Sequence, residues 1–379
     1  MQILLHEIKK IFSWKILLLL LFVNGILSFL LIEFDIKYFP NGRPALDSYR
    51  IGVEMIEKYG THMDEDDFAD FKKTYEVQLE EANHYLQTRK EFVDAGMGTY
   101  EDFRNYDRNN KEQDVLYDKV MFKEPVDMLW ELEERSRLIE NYKSKEISLE
   151  HYMKDANAKQ KLRFNELIEA GHYPVYPEVA FANFKSFIYH VAITIIFSVV
   201  LVLLPIFIQD RSRRLLDLQY TAKKGRNLYK TKVAAGLIST FIVITTLLIT
   251  YFGFYSLNHT SMFFSVPIHM FGGDFYWYDP TFFQYIVLTV VAIYILGFVF
   301  ALLAMSFSSI MSNTIALIGI QIPFVIIMIK YGVFYMMRHI ISIWVPKWVV
   351  PTSYSVMLVV SVVFIVLLWK REKKRDIVL

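Results

Sequence analysis

Arg211-Ser-Arg-Arg-Leu-Leu-Asp-Leu-Gln-Tyr-Thr-Ala-Lys-Lys-Gly-Arg-Asn-Leu-Tyr-Lys-Thr-Lys232 decides how the rest of this chain is read. Arg211, Arg213, Arg214, Lys223, Lys224, Arg226, Lys230 and Lys232 stand there against Asp217 alone. On either side lie apolar runs, residues 187–208 and 233–255. Each has the roughly 20 residues needed to cross the hydrocarbon layer of a bilayer. Translocating a short loop with so many cations is disfavoured, so a basic loop between two spans is expected on the cytoplasmic side.

Working outward, four more spans are expected: 16–32, 283–305, 314–335 and 349–369. Lys9, Lys10 and Lys15 precede the first, and Lys370, Arg371, Lys373, Lys374 and Arg375 follow the last. The 256–280 loop holds no Lys or Arg, and the 336–348 loop only Arg338 and Lys347. This asymmetry places both termini in the cytoplasm and residues 34–180 outside, in a plasma-membrane protein with six spans. Tyr276, Trp277, Tyr278, Trp344 and Trp348 fit an interfacial aromatic belt. The first apolar run reads as a retained anchor rather than a cleaved leader, because no small-x-small site follows it. Ahead of it, Leu4, Leu5, Ile8, Ile11 and Phe12 share one helical face. That pattern suits either an amphipathic helix over residues 1–15 lying in the membrane interface or an extension of the first span.

Composition agrees. The chain has 379 residues, 54% hydrophobic and 16% aromatic, with 21% charged and a mean hydropathy of +0.28. These values suit a membrane protein carrying one polar domain. The net charge of +1 conceals segregation. Residues 34–180 contain 32 acidic and 21 basic side chains, an excess of 11 negative charges, while the rest of the chain has 8 and 20. Such a surface attracts cationic peptides, or simply keeps the domain soluble. There is no cysteine, which excludes disulfides, thiolate metal sites and a cysteine nucleophile.

The polar block reads as helical. One helix is expected over 64–93, opened by Asp64-Glu65-Asp66-Asp67 at the dipole end that favours anions and ended by Gly96-Met97-Gly98. Two more are expected over 125–145 and 148–170, with 40–44 and 173–177 as hinges. The fold class is therefore all-α: six membrane helices, 16–33 and five within 181–379, plus an extracytoplasmic helical domain over 34–180.

Chemistry-bearing motifs are sparse. No phosphate-binding loop, zinc-protease motif or nucleophile elbow occurs, so no enzyme activity and no directly bound cofactor is expected. His259, His269, Asp274 and Asp279 share an outer loop, but their spacing matches no ligand pattern, so no metal is expected. Lys330, in the outer part of the fifth span, either snorkels to the head groups or lines a substrate path. Gln321 is the other candidate for that path, and Pro205 and Pro323 are expected to kink their helices. The span cores hold no carboxylate, which argues against ion coupling.

An amphipathic N-terminal helix, six spans, and a loop with Asp210, a short helix over 215–220, Gly225-Arg226 and Lys232 together resemble the membrane subunits of ABC transporters of the ABC-2 type. The resemblance covers about 1–33 and 181–379. It implies a permease that pairs with a second permease subunit, identical or not. The 209–232 loop would dock a cytosolic ABC ATPase subunit through Asp210, Leu215, Leu216, Leu218, Tyr220, Gly225 and Arg226. ATP enters only through that partner, membrane lipid is the surrounding medium, and no nucleic acid is implied. It also implies short half-helices over 338–351. The cargo would be amphiphilic: a peptide, an antibiotic or a lipid-linked molecule.

Other readings stand beside this one. The basic loop also suits a segment attracted to anionic lipid. The chain as a whole also suits a membrane sensor or assembly scaffold that binds a ligand through its outer domain. An intramembrane enzyme is disfavoured because the spans lack polar catalytic clusters.

Overall fold

A computed structural model describes residues 2–124, 126–212 and 228–374. Among them the chain is helical, with isolated β-bridges in place of strands. The short helix α1 (Gln2–Ile11) is followed by a break in which Ser13 leaves helical geometry, and α2 (Trp14–Lys37) then begins the first span. Of the face expected to be apolar, Leu4, Ile8, Ile11 and Phe12 pack on the core, whereas Leu5 is exposed. The N-terminus is thus a separate elbow resting on the third span, not a continuation of α2.

The insert follows as α3 (Ala45–Tyr59), α4 (Glu65–Gln87), α5 (Lys90–Asp94), α6 (Tyr100–Arg104), α7 (Lys111–Asp118), α8 (Asp127–Lys143), α9 (Lys145–Lys154) and α10 (Ala158–Glu169). The acidic start of α4 is a capping box: Asp67 N donates to Asp64 Oδ1 at 2.9 Å and Asp64 N to Asp67 Oδ2 at 3.2 Å. Two expected helices are broken. That over 64–93 stops at Gln87, because Arg89 turns into extended backbone and binds Tyr85, Glu91 and Glu124. The turn lets Phe92 enter a second core with Leu86, Met97 and Phe103. That over 148–170 is divided by Asn157, whose side chain caps α10 in a box with Gln160. Helix α8 is the centre of the insert, burying Leu129, Leu132, Leu138 and Arg135, whose guanidinium lies 5.2 Å over Phe71 and pairs with Glu54.

Helices α11 (Val179–Arg211), α12 (Leu228–Asn258), α13 (Phe282–Ile310), α14 (Thr314–Arg338) and α15 (Val349–Lys373) complete six spans long and apolar enough to cross a bilayer. Helix α11 is the axis of the bundle, 78% buried over its apolar window, against 11% for α2 and 22% for α15. The outer faces remain hydrophobic: Leu21, Phe29, Ile315 and Val359 are all more than half exposed. A surface so apolar is compatible with lipid, not water. Between α12 and α13 the helices close on glycine. A methyl on Gly236 would strike Met305 Sδ, and one on Gly297 would strike Ile244 Cδ1. Small residues that let backbones approach are a main source of packing where no hydrophobic effect operates between helices.

The bundle has two distinct ends. The elbow, residue 211, residue 228, the end of α13 and the end of α15 gather at one. The insert and the loops after α12 and α14 gather at the other. Of the half-helices expected over 338–351 none forms separately: Arg338 ends α14 and residues 349–351 begin α15. Residues 339–348 run in turns, with Ile343 N donating to Phe275 O at 3.0 Å and Trp277 N to Ile341 O at 3.0 Å. Backbone pairing to the neighbouring loop replaces the helical bonds.

Candidate functional site

The strongest concentration of buried charge lies where the elbow meets the stems of the basic loop. Asp210, near the end of α11, is 1% exposed, and Lys232, near the start of α12, is 2% exposed. Lys232 donates to Asp210 Oδ2 and, at 3.1 Å, to the carbonyl of Ile206, while Lys10 of the elbow donates to Asp210 Oδ1. Glu7, also buried, lies 3.8 Å from Lys10 and completes an electrically balanced group of four. Burying ions costs several kcal/mol each unless they are paired and hydrogen-bonded, and each of these has a partner. The chemistry available is mechanical: one carboxylate joins the elbow and both stems of the loop.

Adjacent contacts tie the same region to α13 and α15. Arg211 donates to the carbonyls of Ser309 at 2.7 Å and Met311, filling acceptors left open at the end of α13. Pro205 interrupts α11, and Ser308 bridges the interruption by donating to Leu204 O at 2.9 Å while accepting from Phe207 N at 3.3 Å. The Lys230 ammonium lies 4.2 Å over the ring of Trp369 on α15.

The residues expected to dock an ATPase divide sharply. Leu215, Leu216, Leu218, Tyr220, Gly225 and Arg226 lie outside the described residues. Asp210, the one docking candidate among the described residues, is buried and paired with Lys10 and Lys232. The two substrate-path candidates do not converge. Gln321 is 1% exposed with neither amide atom hydrogen-bonded, whereas Lys330 is exposed, its ammonium 5.3 Å from the centre of the Tyr331 ring. Nine helical residues apart, they occupy opposite faces of α14.

Sequence reasoning missed two polar groups of the bundle. Asn24 donates to Ser198 Oγ at 2.9 Å and accepts from the Tyr251 hydroxyl at 3.0 Å, joining α2, α11 and α12 inside the apolar layer. The signal was an asparagine in the middle of a leucine-rich run. Nearer the insert, α2 continues beyond residue 32 far enough to bury Asp35, 2.7 Å from His190 Nδ1. A buried carboxylate therefore sits at the margin of the bundle, outside the span limits drawn from hydropathy.

At the end bearing the insert the loop residues also separate. Tyr276 and Trp277 are buried rather than interfacial, and Trp277 Nε1 donates to Val345 O at 2.6 Å. Asp274 accepts from Trp344 Nε1 at 3.2 Å, and the His259 carbonyl from the Tyr49 hydroxyl at 3.0 Å. His269 and Asp279 instead meet His172, from the end of the insert. Arg163 of α10 donates to Asp279 Oδ1 at 2.6 Å and to Tyr276 O at 3.1 Å. Burial pushes the Asp279 carboxyl up, but His269 beside it and the hydrogen-bonded Arg163 guanidinium outweigh it and hold the group at about 2. Compared with family models, with curated proteins and with solved structures, this chain matches none.

Proposed function

We propose that this chain is the membrane-spanning permease subunit of an ATP-driven exporter of the ABC type, with ATP hydrolysed by a separate cytosolic subunit. The observation that carries the reading is the buried Lys10–Asp210–Lys232 cluster. A loop attracted loosely to lipid needs no such anchoring. A loop that transmits force needs stems that move as one body with the bundle. Here a pull on residues 213–227 passes through Asp210 and Lys232 into α11 and α12 together, and through Lys10 into the elbow. The Pro205 interruption, stitched by Ser308 to α13, is the natural place for α11 to bend under that load.

The end bearing the cluster also gathers the described basic residues Lys9, Lys10, Arg211, Lys230, Lys232, Lys370 and Lys373, which supports a cytoplasmic position for it in the plasma membrane. The insert then lies outside the cell. An apolar groove of about 570 Å³ between α13 and α15, lined by Leu288, Val291, Ile295 and Tyr354, suits an amphiphilic cargo. The broad hydrophobic face of α14, with Ile315, Ile320 and Ile327 exposed, suits lipid or a second permease subunit.

The test is capture of the motor. Full-length chain is purified in mild detergent from its native membrane and the eluate assayed for ATP hydrolysis. ATPase activity is expected with wild type and is expected to be lost in Leu215→Asp and Leu218→Asp, with the protein still inserted. Undiminished ATPase capture in both variants contradicts the docking loop.

A second reading, a sensor or scaffold with a ligand-binding insert, is favoured by one feature. A pocket of about 240 Å³ lies between Arg137, Lys145 and Tyr152 of the insert and Gly273-Asp274 of the outer loop. It requires that ligand binding leave the ATPase rate of any captured partner unchanged.

A further inference from the structure

His172, His269 and Asp279 are distant in sequence and meet at the junction of the insert with the loop between α12 and α13. The two imidazole rings are stacked 4.2 Å apart and 14° from parallel, with both Nδ1 edges turned to one carboxylate. His269 Nδ1 lies 3.0 Å from Asp279 Oδ1, and His172 Nδ1 3.9 Å from Asp279 Oδ2. One donor atom from each residue lies within 4.8 Å of the others. A tetrahedral zinc ion with ligands at about 2.0–2.2 Å spaces its donors by about 3.3 Å, which the two nitrogen–oxygen separations bracket, and turning the stacked rings out of parallel would bring both lone pairs onto one ion.

A second observation concerns His269 itself. Its side chain is 5% exposed, yet neither ring nitrogen has a hydrogen-bond partner in acceptable geometry. Buried imidazoles are ordinarily satisfied, and an orphan of this kind calls for an ion or another explanation. Arg163 holds Asp279 Oδ1, which leaves Oδ2 for a metal and makes Arg163 the outer partner that ligating carboxylates commonly have. His172 and Asp279 are partly exposed, which gives an ion a route in and leaves a fourth position for water.

We propose that His172, His269 and Asp279 form a zinc site that staples the insert to the outer loop of the membrane domain. Two imidazoles and a carboxylate suit zinc better than calcium or magnesium, which prefer all-oxygen sites. The site is independent of the motor docking at the other end of the bundle.

The test uses full-length protein stripped with EDTA, dialysed against zinc chloride and analysed for metal. One zinc per chain is expected, with affinity at least tenfold weaker in His172→Gln and in His269→Gln and unchanged in His259→Gln. Zinc is also expected to raise the unfolding temperature of wild type and EDTA to reverse it. Should the variants fail to fold, zinc-edge X-ray absorption of wild type decides, with two imidazole ligands expected. Absence of stoichiometric zinc, equal affinity in folded His172 and His269 variants, or a spectrum without imidazole overturns the proposal.

Discussion

At the end of the bundle where α1, α11 and α12 meet, a single carboxylate gathers two lysines from segments more than 20 residues away. At the opposite end, the insert is joined to the outer loops by many small contacts. Gln160 Nε2 donates to Ile343 O at 2.9 Å, Val175 N to Met270 O at 2.8 Å, and Phe164, Leu167, Trp277 and Ile343 share a small core. A joint made of one buried charge cluster is stiff and has a single point of failure. A joint of distributed contacts loses strength gradually when one member is removed. The first arrangement suits transmission of force, the second a domain held in a fixed pose.

The sharpest way to break this contrast is Asp210→Ala. It leaves Lys10 and Lys232 without their buried partner, and a cost of about 3–5 kcal/mol is expected from the uncompensated charge. Thermal unfolding in detergent, with Lys10→Met/Asp210→Asn/Lys232→Met as a neutral replacement, is the measurement. The triple variant is expected to recover most of the stability but none of the coupling. At the end bearing the insert, Arg163→Ala removes bonds to Asp279 and Tyr276, with an expected cost of about 1.5–3 kcal/mol. The insert is expected to stay folded while the 256–280 loop becomes open to limited proteolysis.

Smaller effects sharpen the comparison. Asp47, in α3, is fully buried with neither carboxylate oxygen hydrogen-bonded. Burial holds its carboxyl above the ordinary value of 3.8, with Arg43 and Arg50 pulling the other way. An acid with a raised folded pKa contributes stability below its unfolded value and loses it as pH rises through the folded one. Asp47→Asn is therefore expected to stabilise the insert by about 1 kcal/mol at neutral pH and to flatten the decline above pH 3.8. Thermal melts across that range check the sign. Asn24→Leu, which deletes the polar link among α2, α11 and α12, is expected to cost only about 0.6 kcal/mol, because polar groups in membranes find alternative partners.

The spans were legible in the sequence because a bilayer imposes length and hydropathy rules that local composition satisfies. Ser13 and Asn157 show where reading by periodicity reaches its limit. The break after α1 and the division between α9 and α10 are made by single residues within continuous patterns, although the Asn157/Gln160 box was a readable signal. Contacts between distant segments were not legible. Asp210 was singled out, but its burial depends on Lys10, 200 residues away. His172 was not singled out, because its partners are supplied by a loop that only the folded bundle brings near it. Gln321 and Lys330 were linked by sharing a span, which says nothing of sharing a face.

The claim on which the account rests is that residues 213–227 lie in the cytosol, held there for a motor to grip. The chain has no cysteine, so one introduced as Lys223→Cys is a unique reporter. Labelling with a membrane-impermeant maleimide is expected only after the cells are permeabilised, and is expected to slow when the captured ATPase is bound. Full labelling on intact cells contradicts the account.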